Sequence, residues 1–146
     1  MKIIIDAMGG DYAPAAPVAA AARATKETDA QIVLVGKTDV VEAELAKYEH
    51  DRTKIEIVNA DEIIENTEEP VKAVKTKKNA SVVVAANMLK SGEGDAMLSM
   101  GSTGALLTAG LLIVGRIKGV HRPALATLLP SAKGPKMLID AGANTK

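Results

Sequence analysis

The sequence predicts an α/β protein built on a mostly parallel sheet with helices on both faces. Short apolar runs recur along the chain, as at 3–5, 31–35 and 96–98. Longer alanine-rich segments separate them, as at 14–26 and 81–90. Strands that are apolar throughout and alternate with helices belong to a sheet covered on both sides, and such sheets are parallel.

Each element has its own local reason. Ile3 to Ile5 reads as a strand that ends at Asp6. Pro14 to Lys26 reads as a helix; proline suits the first turn, where its missing N–H costs nothing, and the alanines inside favour helix. Gln31 to Val35 is an apolar strand closed by Gly36. Thr38 or Asp39 is expected to cap a helix running to about Tyr48. Lys54 to Val58 alternates, which places it nearer a sheet edge. Within 61–78, Pro70 is expected to open a helix. Ser81 to Lys90 is a helix stopped by Ser91-Gly92-Glu93-Gly94. Asp95 to Ser99 is a strand, Ser102 to Ile117 a helix, and Ala126 to Leu129 and Met137 to Ile139 are further strands. The helix from Leu106 to Ile117 is apolar around most of its circumference, as suits a central helix or one at a subunit interface.

Composition removes several function classes. Lys plus Arg and Asp plus Glu each number 18, so the net charge is zero and bulk charge attracts no nucleic acid. Tyr12 and Tyr48 are the only aromatic residues, which leaves no platform for stacking bases. Cysteine is absent, so disulfides, thiolate metal sites and a cysteine nucleophile are excluded. The apolar start at Met1 breaks at Asp6, too soon for a signal peptide. The stretch from Ala105 to Val114 falls short of the roughly 20 residues of a membrane span. A cytoplasmic location is expected. The chain stops at Asn144-Thr145-Lys146, just past a strand expected to be buried. Residues 1–146 are therefore read as the amino-terminal portion of a longer protein.

Three strand-end turns carry the candidate chemistry. The first is Ser99-Met100-Gly101-Ser102-Thr103-Gly104, between a strand and a helix. Gly101 and Gly104 allow close backbone approach, the helix start offers unpaired N–H groups, and Ser99, Ser102 and Thr103 add hydroxyls. That set suits an anion, phosphate above all, at the carboxyl end of a parallel strand. The plainer reading is that Ser102 or Thr103 caps the helix. The turn lacks the Gly-Lys-Ser/Thr ending of a P-loop and the three spaced glycines of a dinucleotide site. The second turn is Asp6-Ala7-Met8-Gly9-Gly10-Asp11, where Gly9 and Gly10 permit unusual backbone angles and Asp11 is expected to cap the next helix. Asp6 and Asp11 are candidates for orienting a substrate. No histidine or third carboxylate lies nearby, so no metal is assigned. The third is Asp140-Ala141-Gly142-Ala143-Asn144, where Asp140 and Asn144 are further candidates; a turn-forming Gly and Asn explain it equally. Arg122, held extended by Pro123, is a candidate for pairing with phosphate. Lys72, Lys75 and Lys78 share one helix side, either as a solvated face or as a patch for an acidic partner.

The order of these pieces closely resembles the bacterial phosphate acyltransferases of fatty acid and phospholipid synthesis. The opening Asp-Ala-Met-Gly-Gly-Asp phrase at 6–11, Pro70, Lys77-Lys78, Ser99 to Gly104, Arg122-Pro123 and Asp140 to Asn144 carry the resemblance, which covers the whole chain. That family often writes the central turn Ser-Ala-Gly-Asn-Thr-Gly; here Met100 and Ser102 stand in it, and Ser102 keeps a hydroxyl. The resemblance implies a fold like that of phosphotransacetylases and isocitrate/isopropylmalate dehydrogenases. It implies transfer of an acyl group from acyl-[acyl carrier protein] to inorganic phosphate, with no cofactor. It further implies a homodimer, peripheral at the inner face of the cell membrane. A metal-dependent dehydrogenase on the same fold and a phosphate- or carrier-binding module without activity are the rival readings.

Overall fold

The computed structural model describes residues 1–121 and 123–140. The chain divides into two compact units, Met1–Val114 and Gly115–Lys146. The first holds a four-stranded sheet with β1 (Lys2–Asp6), β2 (Gln31–Gly36), β3 (Ile55–Asn59) and β4 (Ala96–Leu98), in spatial order β3-β2-β1-β4. Every pair in it is parallel, with Ile4 opposite Val33 on one side and Met97 on the other. The alternating segment forms β3 at the sheet edge, as its pattern requires.

Side-chain alternation divides the core between the two faces. Ile5, Ile32 and Leu34 pack with Val18 and Ala21 of α1 (Ala15–Glu27) and with Val41 and Leu45 of α2 (Thr38–Leu45). Ile4, Val33 and Val35 point the other way, onto Ala85 and Met88 of α4 (Ser81–Ser91). Burying each of these aliphatic side chains contributes about 1.5–3 kcal/mol. A third cluster joins Val74 of α3 (Pro70–Thr76), Val83 and Ala86 of α4, and Ala105 and Ala109 of α5 (Thr103–Ala109).

Several boundaries differ from the sequence expectation. Neither Thr38 nor Asp39 caps α2. Lys37 occupies the cap position, and Asn59 at the end of β3 accepts from the Thr38 N–H at 3.2 Å and its hydroxyl at 3.0 Å. α2 also stops at Leu45 rather than Tyr48. Asp11 does not cap α1: Pro14 takes that position with no side-chain cap, and Asp11 instead accepts from Asn66 Nδ2 at 3.4 Å. Pro70 does open α3, where the Glu69 carboxylate accepts from the N–H groups of Val71 and Lys72 at 3.0 and 2.7 Å. α3 ends at Thr76, so Lys72 and Lys75 lie on it and Lys78 does not. The helix expected over Ser102 to Ile117 is shorter. α5 ends at Ala109, a π-helical turn follows over Gly110–Val114, and Gly115 at φ 98° closes it.

In the second unit, β5 (Ala126–Leu129) and β6 (Lys136–Ile139) form their own antiparallel pair and do not join the parallel sheet. The connection explains this. The short Pro130 to Pro135 segment, closed by Gly134 N–H to Ser131 O at 3.1 Å, makes a hairpin, whereas parallel pairing needs a crossover of a dozen or more residues. Nor is β6 the buried strand that was expected; Met137 and Ile139 are 63% and 61% exposed.

Candidate functional site

The strand order creates the site. From β1 the chain moves outward through α1 to β2 and then through α2 to β3. It returns through α3 and α4 to place β4 on the other flank of β1. The order therefore reverses between β1 and β4, and the crevice beyond their carboxyl ends is where open α/β sheets hold ligands. The turn after β1 carries Asp6 to Gly10, and the turn after β4 carries Ser99 to Ser102.

These two turns are bound to each other. The Ser99 hydroxyl donates to Asp6 Oδ2 at 2.7 Å, and Asp6 Oδ1 accepts from the Met8 N–H at 3.2 Å. Asp6 is only 2% exposed, yet both its oxygens are engaged. Ser99 Oγ accepts in turn from the Gly101 N–H at 3.2 Å. Glycine is required where the backbones meet. A Cβ on Gly9 would stand 2.5 Å from Asp6 Oδ2, and one on Gly10, at φ 105°, would stand 2.8 Å from the Met100 carbonyl oxygen.

Asp6, Gly9, Ser99, Gly101 and Ser102 line one small space, together with Ser81, Val82, Ile63, Ile64 and Ala105. It is about 10 Å³, the scale of a single water. Ser102 faces this space while capping α5, accepting from the Ala105 N–H at 3.3 Å. The residue expected in the anion cradle and the residue that caps α5 are thus the same. Thr103 is exposed at the start of α5, and Gly104 packs against the ring of Pro70, where an added Cβ would come within 2.8 Å.

Asp11 is exposed beyond the first turn. Asp140 ends β6 at φ 63°, its N–H donating to Leu125 O at 2.8 Å, and belongs to the second unit. Arg122 and Asn144 fall outside the described residues. Among the described residues, no three His, Asp or Glu side chains gather in a way that would hold a metal ion.

Sequence reasoning missed Ser81, Ile63 and Ile64. The signal for Ser81 was present, since it opens a helix, but its direction depends on a long-range contact. A parallel bridge between Glu62 and Ala80, with the Ser81 N–H donating to Glu62 O at 3.1 Å, brings both segments to the site. Lys77 then fixes the wall, donating to Ile63 O at 2.8 Å and to Glu68 Oε1 at 2.6 Å. The Lys77 ammonium, together with the Glu65 N–H, holds the Glu68 carboxyl below the usual carboxylate range.

Comparison with known proteins identifies the family and the fold. A family model described as fatty acid synthesis protein matches residues 1–146. The chain is 50% identical over 145 residues to a phosphate acyltransferase of Clostridioides difficile (strain 630), covering 99% of this chain and 43% of that protein. It is 52% identical over 146 residues to a phosphate acyltransferase of Bacillus cereus (strain B4264), covering 99% of this chain and again 43% of the relative. The chain thus spans less than half the length of these curated relatives. A crystal structure of a phosphotransacetylase from Streptococcus pyogenes superposes with a TM-score of 0.60 at 18% identity, covering 95% of this chain and 45% of that one. That similarity establishes the α/β fold of the phosphotransacetylases. The chain belongs to the fatty acid synthesis protein family.

Proposed function

We propose that this chain is the amino-terminal portion of a phosphate acyltransferase that converts acyl-[acyl carrier protein] and inorganic phosphate into acyl-phosphate and free carrier protein. The observation that carries the reading is the joining of the two glycine turns at the crevice between β1 and β4. The relatives are phosphate acyltransferases by name, which supports the reaction and does not favour a dehydrogenase.

In this reaction a phosphate oxygen attacks the thioester carbonyl, the tetrahedral adduct collapses, and the carrier thiol leaves. What the protein must supply is position and stabilisation of the oxyanion. The Ser102 hydroxyl, the Thr103 hydroxyl and the N–H groups at the start of α5 serve as donors to phosphate. Asp6 orients Ser99 and keeps the two turns in register. No nucleophilic side chain of the protein enters the sequence.

The same reading makes the enzyme cytoplasmic, homodimeric and peripheral at the inner face of the membrane. It is consistent with this that no helix among the described residues is long and apolar enough to cross a membrane. Leu112 and Val114 on the π-helical turn are 48% and 40% exposed, which suits a surface covered by another subunit. The basic residues Lys72 and Lys75 on α3 suit an acidic carrier protein.

The test is direct. Acyl-phosphate formation from acyl-[acyl carrier protein] and phosphate is assayed on the full-length protein and on this chain. The full-length protein is expected to form acyl-phosphate in proportion to added phosphate; no product from it would end the proposal. Activity confined to the full-length protein would assign the remaining catalytic groups to the portion beyond residue 146.

A further inference from the structure

A buried carboxylate is an unusual wall for an anion site. Asp6 is 2% exposed, and both its oxygens act as acceptors, from the Met8 N–H and from the Ser99 hydroxyl. An ionised carboxylate has no proton to give. It repels a ligand oxygen that carries no hydrogen and binds one that does. Gly9 packs directly on this pair, where a Cβ would press on Asp6 Oδ2 at 2.5 Å and Ser99 Oγ at 2.9 Å, and Asp6 and Gly9 line the same small space.

The other polar groups around the space have the opposite character. Ser81, 2% exposed at the first turn of α4, and Ser102, at the cap of α5, both carry hydroxyls that can donate. The site therefore presents one acceptor beside two donors. The space, about 10 Å³, has room for one oxygen of a tetrahedral ion.

Resting on the proposed phosphate site, we infer that Asp6 makes it selective for a protonated tetrahedral oxyanion. The P–OH oxygen of hydrogen phosphate enters this space and donates to Asp6, while its bare oxygens accept from Ser81 and Ser102. Sulfate has the same shape and no proton at neutral pH. Placed in the same site, it sets a bare oxygen against the buried carboxylate, and like charges so juxtaposed are strongly disfavoured. A short O–H to carboxylate bond is among the stronger hydrogen bonds available to a ligand.

The experiment titrates inorganic phosphate, arsenate and sulfate into the full-length protein by calorimetry at neutral pH and matched ionic strength. Phosphate and arsenate are expected to bind, with sulfate more than about tenfold weaker, since a site built around a substrate hydroxyl rejects analogues that lack it. Asp6→Asn replaces an accepting oxygen with a donating amide and is expected to bring sulfate within about tenfold of phosphate. Sulfate within about tenfold of phosphate in the unsubstituted protein overturns the selectivity and leaves the phosphate site standing. A folded Asp6→Asn variant with an unchanged ratio does the same. If that variant does not fold, the ratio in the unsubstituted protein decides alone. An absence of phosphate binding removes the phosphate site itself, and the selectivity with it.

Discussion

Ser99 and Asp6 stand 93 residues apart in sequence and share a 2.7 Å hydrogen bond at the carboxyl ends of adjacent strands. Removing one side of such a bond leaves a buried acceptor short of a partner. Ser99→Ala is therefore expected to destabilise the protein by about 1–3 kcal/mol, read from the urea midpoint. Ser99→Thr keeps the hydroxyl and should recover part of the loss. Equal stability of Ser99→Ala and the unsubstituted chain would mean that the two turns hold together without this bond.

Gly10→Ala tests the backbone contact. At φ 105° alanine is strained, and its Cβ would stand 2.8 Å from the Met100 carbonyl oxygen. A cost of about 1–3 kcal/mol is expected, together with loss of acyl-phosphate formation as the turns separate. A stable, fully active variant would contradict the close approach.

Ser102 has a capping role and a proposed phosphate role, which different measurements separate. Its hydroxyl caps α5, so Ser102→Ala should lower stability by about 1 kcal/mol. Thr103 is exposed and makes no such cap, so Thr103→Ala should leave the urea midpoint nearly unchanged. Together the two substitutions are expected to raise the KM for phosphate in the full-length protein. An unchanged phosphate KM would take these hydroxyls out of the phosphate site.

The Glu68–Lys77 pair predicts a pH dependence. Lys77 lowers the folded pKa of Glu68 below its unfolded value. Such a group adds stability above the unfolded carboxylate range, near about 4.3, and loses it as pH falls through the folded value. Lys77→Met should therefore be less stable than the unsubstituted protein at pH 7, with the gap narrowing towards pH 3. A gap of constant size across that range would assign the effect to the bond with Ile63 O instead.

The proposed carrier-protein contact at the exposed lysines of α3 is one of charge. Reversing the charge of Lys72 and Lys75 in the full-length protein should reduce kcat/KM for acyl-[acyl carrier protein] more at low salt than at high salt. Equal loss at both would argue for a structural effect on α3.

Local patterns in the sequence indicated most of the first unit. Apolar runs located β1, β2 and β4, alternation put β3 at an edge, and Pro70 marked the start of α3. The two glycine turns were visible as strand-to-helix junctions. What joins them was not visible, because partners such as Asp6 and Ser99, or Ile63 and Lys77, are set by strand order. The misassigned caps have the same cause: Asn59 reaches α2 only once β3 lies beside β2. β5 and β6 have strand composition, but the Pro130 to Pro135 turn decided their pairing. The apolar run after Ala105 continued past the glycines that stop α5, and periodicity alone gives those glycines too little weight.

The long span between Asp6 and Ser99 also orders events during synthesis. Asp6 leaves the ribosome before its partner, which follows 93 residues later. By then α1, β2 and α2 can already have packed against one face of β1. Closing so long a loop costs chain entropy that local helices avoid, so β4 docks late. A nascent chain that has made its first core cluster still has an unclasped Asp6 and two slack turns. The proposed anion site can then form only when β4 settles beside β1.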